Sequence, residues 1–527
     1  METNRLRIDS NGTAEPYEKR WVALGVLCLS LILVVLDNTV LNVALPTLVR
    51  DLGASTTDLQ WMVDSYVIVF AGLLLTAGAL GDRFGRRRSL QAGLVVFSVA
   101  SGLAAISTTS SQLIGARAVM GLGAAFVMPA TLSLIINLFS DPIERARAIA
   151  IWAGMAGVGV ALGPVVGGWL LERFWWGSVF LINIPLVVVA LVASWRLLPE
   201  SRHNTGSRLD VVGAVLSVAA IAALLWAIIE APKYGWSDPA SLVAFGVAAV
   251  LLVTFALWER RSEAPMLDVG FFRNRRFSAA SGSIALVFFA MFGSFFLLTQ
   301  LLQFVLGYSA LEAGLRMLPI SLVLGAVSPL SARLVERVGT KVVVTAGLAI
   351  VAVGLAITAG FTIGSTYGDL ITGMIVLALG MGLTMAPATE SIMGSLPPAQ
   401  AGVGSAVNDT TRELGGALGV AVLGSLLASG YASTLADRFA LGSLPSGADG
   451  VVRGSLGAAL QVAGSMGSAG EALAGAARVA FVDAMGLSMA VAAGAALVGA
   501  VITAVFLPGR AETAVAPPIV PASDPTR

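Results

Sequence analysis

The chain has 527 residues, of which 57% are hydrophobic and 12% are Asp, Glu, Lys or Arg, and its net charge is +1. Soluble domains carry about 25% charge, so this composition excludes a soluble enzyme of this size. The near-neutral balance excludes a disordered or nucleic-acid-binding chain. At roughly 20 apolar residues per crossing, the apolar content allows about fourteen membrane helices.

The first twenty residues are polar, show no cleavable signal peptide and read as a cytoplasmic segment. Apolar runs bounded by charges or by Pro and Gly then predict helices at about 22–43, 59–80, 89–107, 112–137, 147–170, 175–195 and 210–230. The remaining seven fall at about 240–258, 278–304, 313–332, 342–361, 369–390, 402–428 and 480–507. With fourteen crossings both termini share a side. That side collects 23 of the 32 Lys and Arg residues and the other side seven, leaving Arg117 and Arg412 inside helices. The positive-inside rule makes the first side cytoplasmic. Residues 429–479, rich in Gly, Ala and Ser, read as a flexible external connector, and the proline-bearing tail 508–527 as disordered. The single Cys28 excludes disulfides, zinc sites and a CxxC pair, and the single His203 lies in a charged loop, so no metal or cofactor is expected. Arg outnumbers Lys 29 to 3 in an Ala- and Gly-rich chain, the composition of a high-GC bacterial gene.

Four patterns stand above composition. Between the second and third helices runs Gly78-Ala-Leu-Gly-Asp82-Arg83-Phe-Gly85-Arg86-Arg87-Arg88. Its glycines permit a tight turn, and Asp82 with the arginines can pin two helix ends as a conformational latch; anchoring to the cytoplasmic side would need neither the Asp nor the glycines. Arg117 lies in the fourth helix, where a guanidinium must face a cavity or an acid. In the fifth, Gly159, Gly163 and Gly167 recur every fourth residue, with Pro164 and Gly168 beside them. This predicts a close-packing hinge face; a dinucleotide fingerprint has different spacing and needs a strand before it. In the first helix, Asp37 of Leu36-Asp37-Asn38-Thr39 lies deep in the span, where an acid reads as a proton relay or cation site, with a salt-bridged structural role as the rival.

These motifs together resemble the major facilitator superfamily, and within it the fourteen-helix drug:proton antiporters of the QacA/EmrB type, over essentially the whole chain. Further matches are Leu59-Gln60-Trp61-Met-Val63-Asp64-Ser65-Tyr66, Leu209-Asp210-Val-Val-Gly213, Pro265-Met-Leu-Asp-Val-Gly-Phe-Phe272 and Asn408-Asp409-Thr-Thr-Arg412-Glu413-Leu-Gly415-Gly416. Where family members often have Trp-Arg-Trp before the sixth helix, this chain has Trp176-Gly177-Ser178, and it lacks an acid between Gly314 and Ala332 that some relatives carry. The resemblance implies an all-α fold of two six-helix bundles, 21–196 and 278–507, with two additional helices at 209–258 between them. It implies a monomeric efflux pump of the bacterial cell membrane that exchanges protons for lipophilic or cationic drugs, dyes or quaternary ammonium compounds. An exporter dedicated to one natural product, antibiotic or lipid would share every motif.

Such exchange needs a group that binds a proton or a cation but not both. A partly desolvated carboxylate suffices, because burial disfavours its charged form and a cation restores it. The candidates are Asp37, Asp64, Asp409 and Glu413, with Arg117 and Arg412 as internal counter-ions; Glu390 reads as a solvated helix-end acid. Phe288, Phe289, Phe292, Phe295 and Phe296 could line a pocket for planar cations, as could Met62, Met128, Met381 and Met385, but each alone reads first as a core or lipid-facing side chain. No GxxxxGK[ST] loop occurs, which leaves an ion gradient as the energy source.

Overall fold

A computed structural model describes residues 18–139, 141–201, 210–263, 265–396, 401–445 and 447–508. The expected N-terminal segment up to residue 17, the linker with His203 and the tail from residue 509 lie outside the described residues. The described chain is helical without strands, and fourteen of its helices are long and apolar enough to cross a membrane. The first half comprises α1 (Arg20–Leu52), α2 (Thr56–Phe84), α3 (Arg86–Ala105), α4 (Ser110–Leu138), α5 (Pro142–Arg173) and α6 (Asn183–Leu197), the last preceded by the turn Ser178–Leu181. Two helices follow, α7 (Val211–Tyr234) and α8 (Pro239–Arg261). The second half comprises α9 (Arg275–Gln300), α10 (Ala310–Val338), α11 (Thr340–Ala359), α12 (Tyr367–Met393) and α13 (Ala401–Arg438). The short helices α14 (Ala448–Gly454) and α15 (Leu456–Ser465) lead to the last crossing, α16 (Ser468–Phe506).

The two halves repeat one plan that the sequence reading did not detect. Both α2 and α10 have 29 residues and are followed by helices of 20. Each of the two begins with a reciprocal capping box, Ser55 with Asp58 and Ser309 with Glu312, which satisfies orphaned amides at both helix starts. A glycine in the left-handed region turns the chain after each, Gly85 at φ +118° and Gly339 at φ +85°.

Close packing within each half runs over glycines. On α5, Gly159 faces Val35, Gly163 faces Thr39 and Gly167 faces Val40 of α1, as the four-residue spacing predicts. On α13, Gly415 and Gly419 meet the backbone of α9 at Ala285 and Phe289 in the same way. A Cβ at Gly167 would lie 2.9 Å from Val40 Cγ1, so the backbones approach as closely as glycine allows. Of the two additional helices, α7 packs against α2 and α13. α8 buries only Ser241, Ala248 and Glu259 and turns the rest of its surface outward, which suits contact with lipid.

Residues 429–479 are not the flexible connector expected. α13 continues to Arg438, α14 and α15 follow, and α16 starts at Ser468. Ala promotes helix, and here the helices also bury apolar side chains: Val452, Leu456 and Ala459 are buried, and the Tyr431 hydroxyl donates to the Val452 carbonyl at 3.1 Å. The segment lies across the ends of both halves. Thr56 Oγ1 donates to the Gly454 carbonyl at 3.0 Å, Gln461 Nε2 to the Arg50 carbonyl at 2.9 Å, and Gly457 seats against Val49 and Phe304.

The glycine face of α5 makes a direct prediction. Gly163→Val inserts three carbons where the Thr39 side chain already sits, and over-packing of this kind costs about 1–3 kcal/mol. We expect the melting temperature of the detergent-purified protein to fall by several degrees. An unchanged melting temperature would show that α1 and α5 can separate here without penalty.

Candidate functional site

Hydrocarbon cannot solvate a guanidinium, so Arg117 on α4 must find its donors' partners inside the protein. Its side chain is 0% exposed. Nε donates to the Met62 carbonyl of α2 at 3.0 Å, Nη2 to Asn38 Oδ1 of α1 at 3.2 Å, and Nη1 is ion-paired with Asp37 Oδ2. The guanidinium carbon lies 4.3 Å from the centre of the Tyr66 ring. The other oxygen of Asp37 accepts from Asn183 Nδ2 of α6 at 2.8 Å, and that amide also reaches Ser101 of α3 at 3.3 Å. One ion pair therefore ties α1, α2, α3, α4 and α6 together. Of the two readings of Asp37, the structure favours the salt-bridged one.

Between the halves lies a small cavity, with room for about one water molecule in this conformation. Asn38 and Asn42 of α1 with Val63 and Val67 of α2 form one wall, and Phe292 of α9 with Glu413, Gly416 and Val420 of α13 form the other. Among the expected phenylalanines and methionines only Phe292 lines it. Asp409 and Glu413, four residues apart, divide their roles. Asp409 pairs with Arg412 at 3.7 Å, while Arg412 also reaches Thr389 of α12 at 3.2 Å and lies 5.5 Å from the Phe288 ring. Glu413 is the one carboxylate among the cavity-lining residues. Asp64 is 0% exposed, and neither of its oxygens has a hydrogen-bond partner. Its neighbours one turn earlier, Gln60 and Trp61, touch α13 and α7, so Asp64 sits on the α2 face turned toward those helices. Glu390 is exposed, as expected.

At the α2–α3 turn, Asp82 pairs with Arg86 at 2.7 Å, and Gly78 packs against Pro129 of α4. Arg83 lies over Phe84. The partner that sequence reasoning missed is Glu200, just beyond α6. It accepts from the Arg87 backbone N–H at 3.2 Å and lies within 3.8 Å of the Arg87 and Arg88 side chains. The backbone at Gly85, with φ +118°, suits glycine, and a Cβ there would stand 2.6 Å from Glu200 Oε1, so a larger residue would also have to push that carboxylate aside. An acid in an otherwise basic loop was the only available signal.

The chain matches the profile of the Major Facilitator Superfamily over residues 27–420. The chain belongs to the major facilitator superfamily. It is 40% identical to the multidrug efflux pump LfrA of Mycolicibacterium smegmatis, over 79% of this chain and 82% of that protein. It is 36% identical to the methyl viologen resistance protein SmvA of Salmonella typhimurium, over 88% and 93%. Identity to the tetracenomycin C resistance and export protein of Streptomyces glaucescens is 32%, over 92% and 90%. The fold matches a bacterial homologue of the human lysosomal transporter Spinster in an inward-facing conformation, with a TM-score of 0.63 at 18% identity, covering 93% of this chain and 97% of that one. It also matches a D-xylose–proton symporter with a TM-score of 0.59 at 14% identity, covering 93% and 98%. This is a multi-pass membrane protein of a transporter family that moves small molecules, and it groups with the drug antiporters of that superfamily.

Removing one partner of a buried pair strands the other charge, at a cost of about 3–5 kcal/mol, whereas removing both is far milder. Arg117→Met and Asp37→Asn should each lower thermal stability sharply in detergent, and the double variant should recover most of the loss. A double variant as unstable as the sum of the singles would deny the pair its structural role.

Proposed function

We propose that this chain is a proton-coupled multidrug efflux antiporter that exports lipophilic cations across the cytoplasmic membrane. The observation that carries this reading is the cavity between the halves, where one carboxylate faces apolar and amide side chains and no fixed cation of the cavity lining neutralises it. Asn38 and Asn42 can orient a polar edge, Phe292 offers a ring face to a planar cation, and the valines accept an apolar body.

In this reading Glu413 binds either a proton or the drug's positive charge, which makes the two ligands mutually exclusive and couples their opposite movements. Asp64 serves as a second protonation site. It has no donor nearby, so its ionised form is costly in this conformation and becomes affordable only if α2 moves relative to α7 and α13. Asp37 and Arg117 act as a staple that keeps the first half rigid, and Asp409 is held by Arg412. Alternating access follows from rocking one half against the other about the cavity. The latch at Asp82, Arg86 and Glu200 lies on the cytoplasmic face and fixes the ends of α2, α3 and α6 to one another, so that they move as a body. The reading requires no cofactor and a single copy of the chain. The identity to a protein named for tetracenomycin C export supports a second reading, in which the same cavity serves one natural product.

The test is ethidium efflux from energised cells. Wild type should export the dye until an uncoupler is added. Glu413→Gln, at equal expression and melting temperature, should cut the uncoupler-sensitive rate at least about tenfold, the factor expected for a lost interaction of about 1.4 kcal/mol. Asp37→Asn should also abolish efflux, but together with a loss of stability. Rates for Glu413→Gln within twofold of wild type would remove Glu413 from the mechanism. A wild type that moves neither ethidium nor methyl viologen would favour the dedicated exporter.

A further inference from the structure

At one end the halves cross directly through α5 and α10. The contacts between α5 and α10 involve Pro164 and Gly168 near the end of the first and Ala310, Leu311 and Gly314 near the start of the second. All lie away from the arginine-rich α2–α3 turn. Two further crossings at this end use the same chemistry in opposite directions. Gln60 of α2, in the first half, donates Nε2 to the carbonyls of Val420 and Ala421 on α13 at 3.2 and 2.8 Å. Gln303, in the second half, donates Nε2 to the Val43 carbonyl of α1 at 2.9 Å.

The geometry points to Gln60 and Gln303 as a reciprocal pair of positioning residues that hold the outer end shut and set how readily the transporter opens. Only the NH₂ end of an amide can face a carbonyl, so the orientation of both side chains is fixed by their partners. Each main-chain carbonyl can accept a second bond, so neither helix must unwind to make or break the contact. Both Oε1 atoms are buried without a partner. The unmet acceptor offsets part of what the amide's donor gains, so each glutamine holds the end closed by about the net worth of one hydrogen bond, as a reversible gate requires. Local structure is adapted to both contacts. Gly424 leaves room for the Gln60 amide, since a Cβ there would lie 2.7 Å from Nε2. Gln303 is carried on the π-helical turn Leu301–Val305 at the end of α9, a local widening that often accompanies function.

This inference rests on the alternating-access reading, and its test needs neither drug nor proton gradient, so the two can fail separately. Spin labels at Asp51→Cys and Gly364→Cys, in a Cys28→Ala background of the full chain in lipid nanodiscs, report the separation of the halves at this end by double electron–electron resonance. Gln60→Met and Gln303→Met keep the bulk of the side chain and remove the donor. Each is expected to raise the open-to-closed ratio about fivefold, the factor for one typical hydrogen bond, and the double variant about 25-fold if the two act independently. A double variant whose distance distribution matches the parent overturns the proposal. If Gln60→Met fails to fold, Gln303→Met alone carries the test, and a distribution unchanged in it is equally decisive. Gln461→Met, which removes an exposed bond from α15 to the Arg50 carbonyl, is expected to leave the distribution as it was. A shift as large as that of Gln60→Met would assign closure to the α14–α15 segment and reject the glutamine pair.

Discussion

The cost of placing one guanidinium in hydrocarbon organises the first half of this transporter. Arg117 spends its donors on a carboxylate, an amide and a main-chain carbonyl from two neighbouring helices, and its face on Tyr66. The carboxylate in turn takes a bond from α6. None of these groups could be buried alone at this depth, so the five helices that contribute to the network are held in one arrangement. The same accounting assigns the remaining acids. Protonating Asp37 would strand Arg117, whereas protonating Glu413 strands nothing in the cavity lining. The acid that sits deepest in the first helix is therefore less suited to exchange than one on the cavity wall.

Rigidity within the halves is complemented by weak adhesion between them. Inside each half, glycine faces bring backbones together, α5 onto α1 and α13 onto α9. Between the halves, Gly168 and Gly314 again let the backbones of α5 and α10 approach closely, which makes the crossing smooth there. A smooth crossing lets two helices pivot without first disengaging knobs from holes. The polar contacts that span the halves at this end include the Gln60 and Gln303 bonds to main-chain carbonyls, Gln60 to Ser425 Oγ and Ser309 Oγ to Glu172, and such bonds can be exchanged for water when the end opens. The α14–α15 segment adds its own contacts to the ends of α1 and α2, so opening also has to accommodate that cover.

Much of this was legible in the sequence, and the limits have physical causes. All fourteen crossings were placed, because apolar length is what a bilayer demands. Several ends ran one to three turns beyond the apolar runs, since helices project into the polar layers, and the capping boxes at Ser55 and Ser309 mark two of those starts; others, at Ala105 and Ala359, stopped two residues short. The glycine face of α5 was readable from its period alone. The partner of Arg117 was not, because Asp37 is 80 positions away and only the fold brings them together. Glu200 was missed for the same reason. The 429–479 stretch was misread because Gly and Ser suggested a loop while the alanines between them favoured helix, and it was the burial of Val452 and Leu456 that decided.

The division of labour between Asp409 and Glu413 shows what a helical face can and cannot tell. Four residues apart on one helix, they share a face, and the sequence left open an internal ion pair with Arg412. Arg412 breaks that equivalence, because its long side chain reaches back to Asp409 and across to Thr389 on α12, and so draws Asp409 toward the interior of the second half. Glu413, on the other side of Arg412, is left facing Asn38 and Asn42 across the cavity. A carboxylate that faces the opposite half is the one whose surroundings change most when the halves rock, whereas Asp409 keeps its counter-ion in any rigid-body movement of the second half. A coupling acid must experience two different environments in the two conformations of the cycle. By that criterion the proposed coupling role falls to Glu413 for its position relative to the moving boundary rather than for its depth in the membrane.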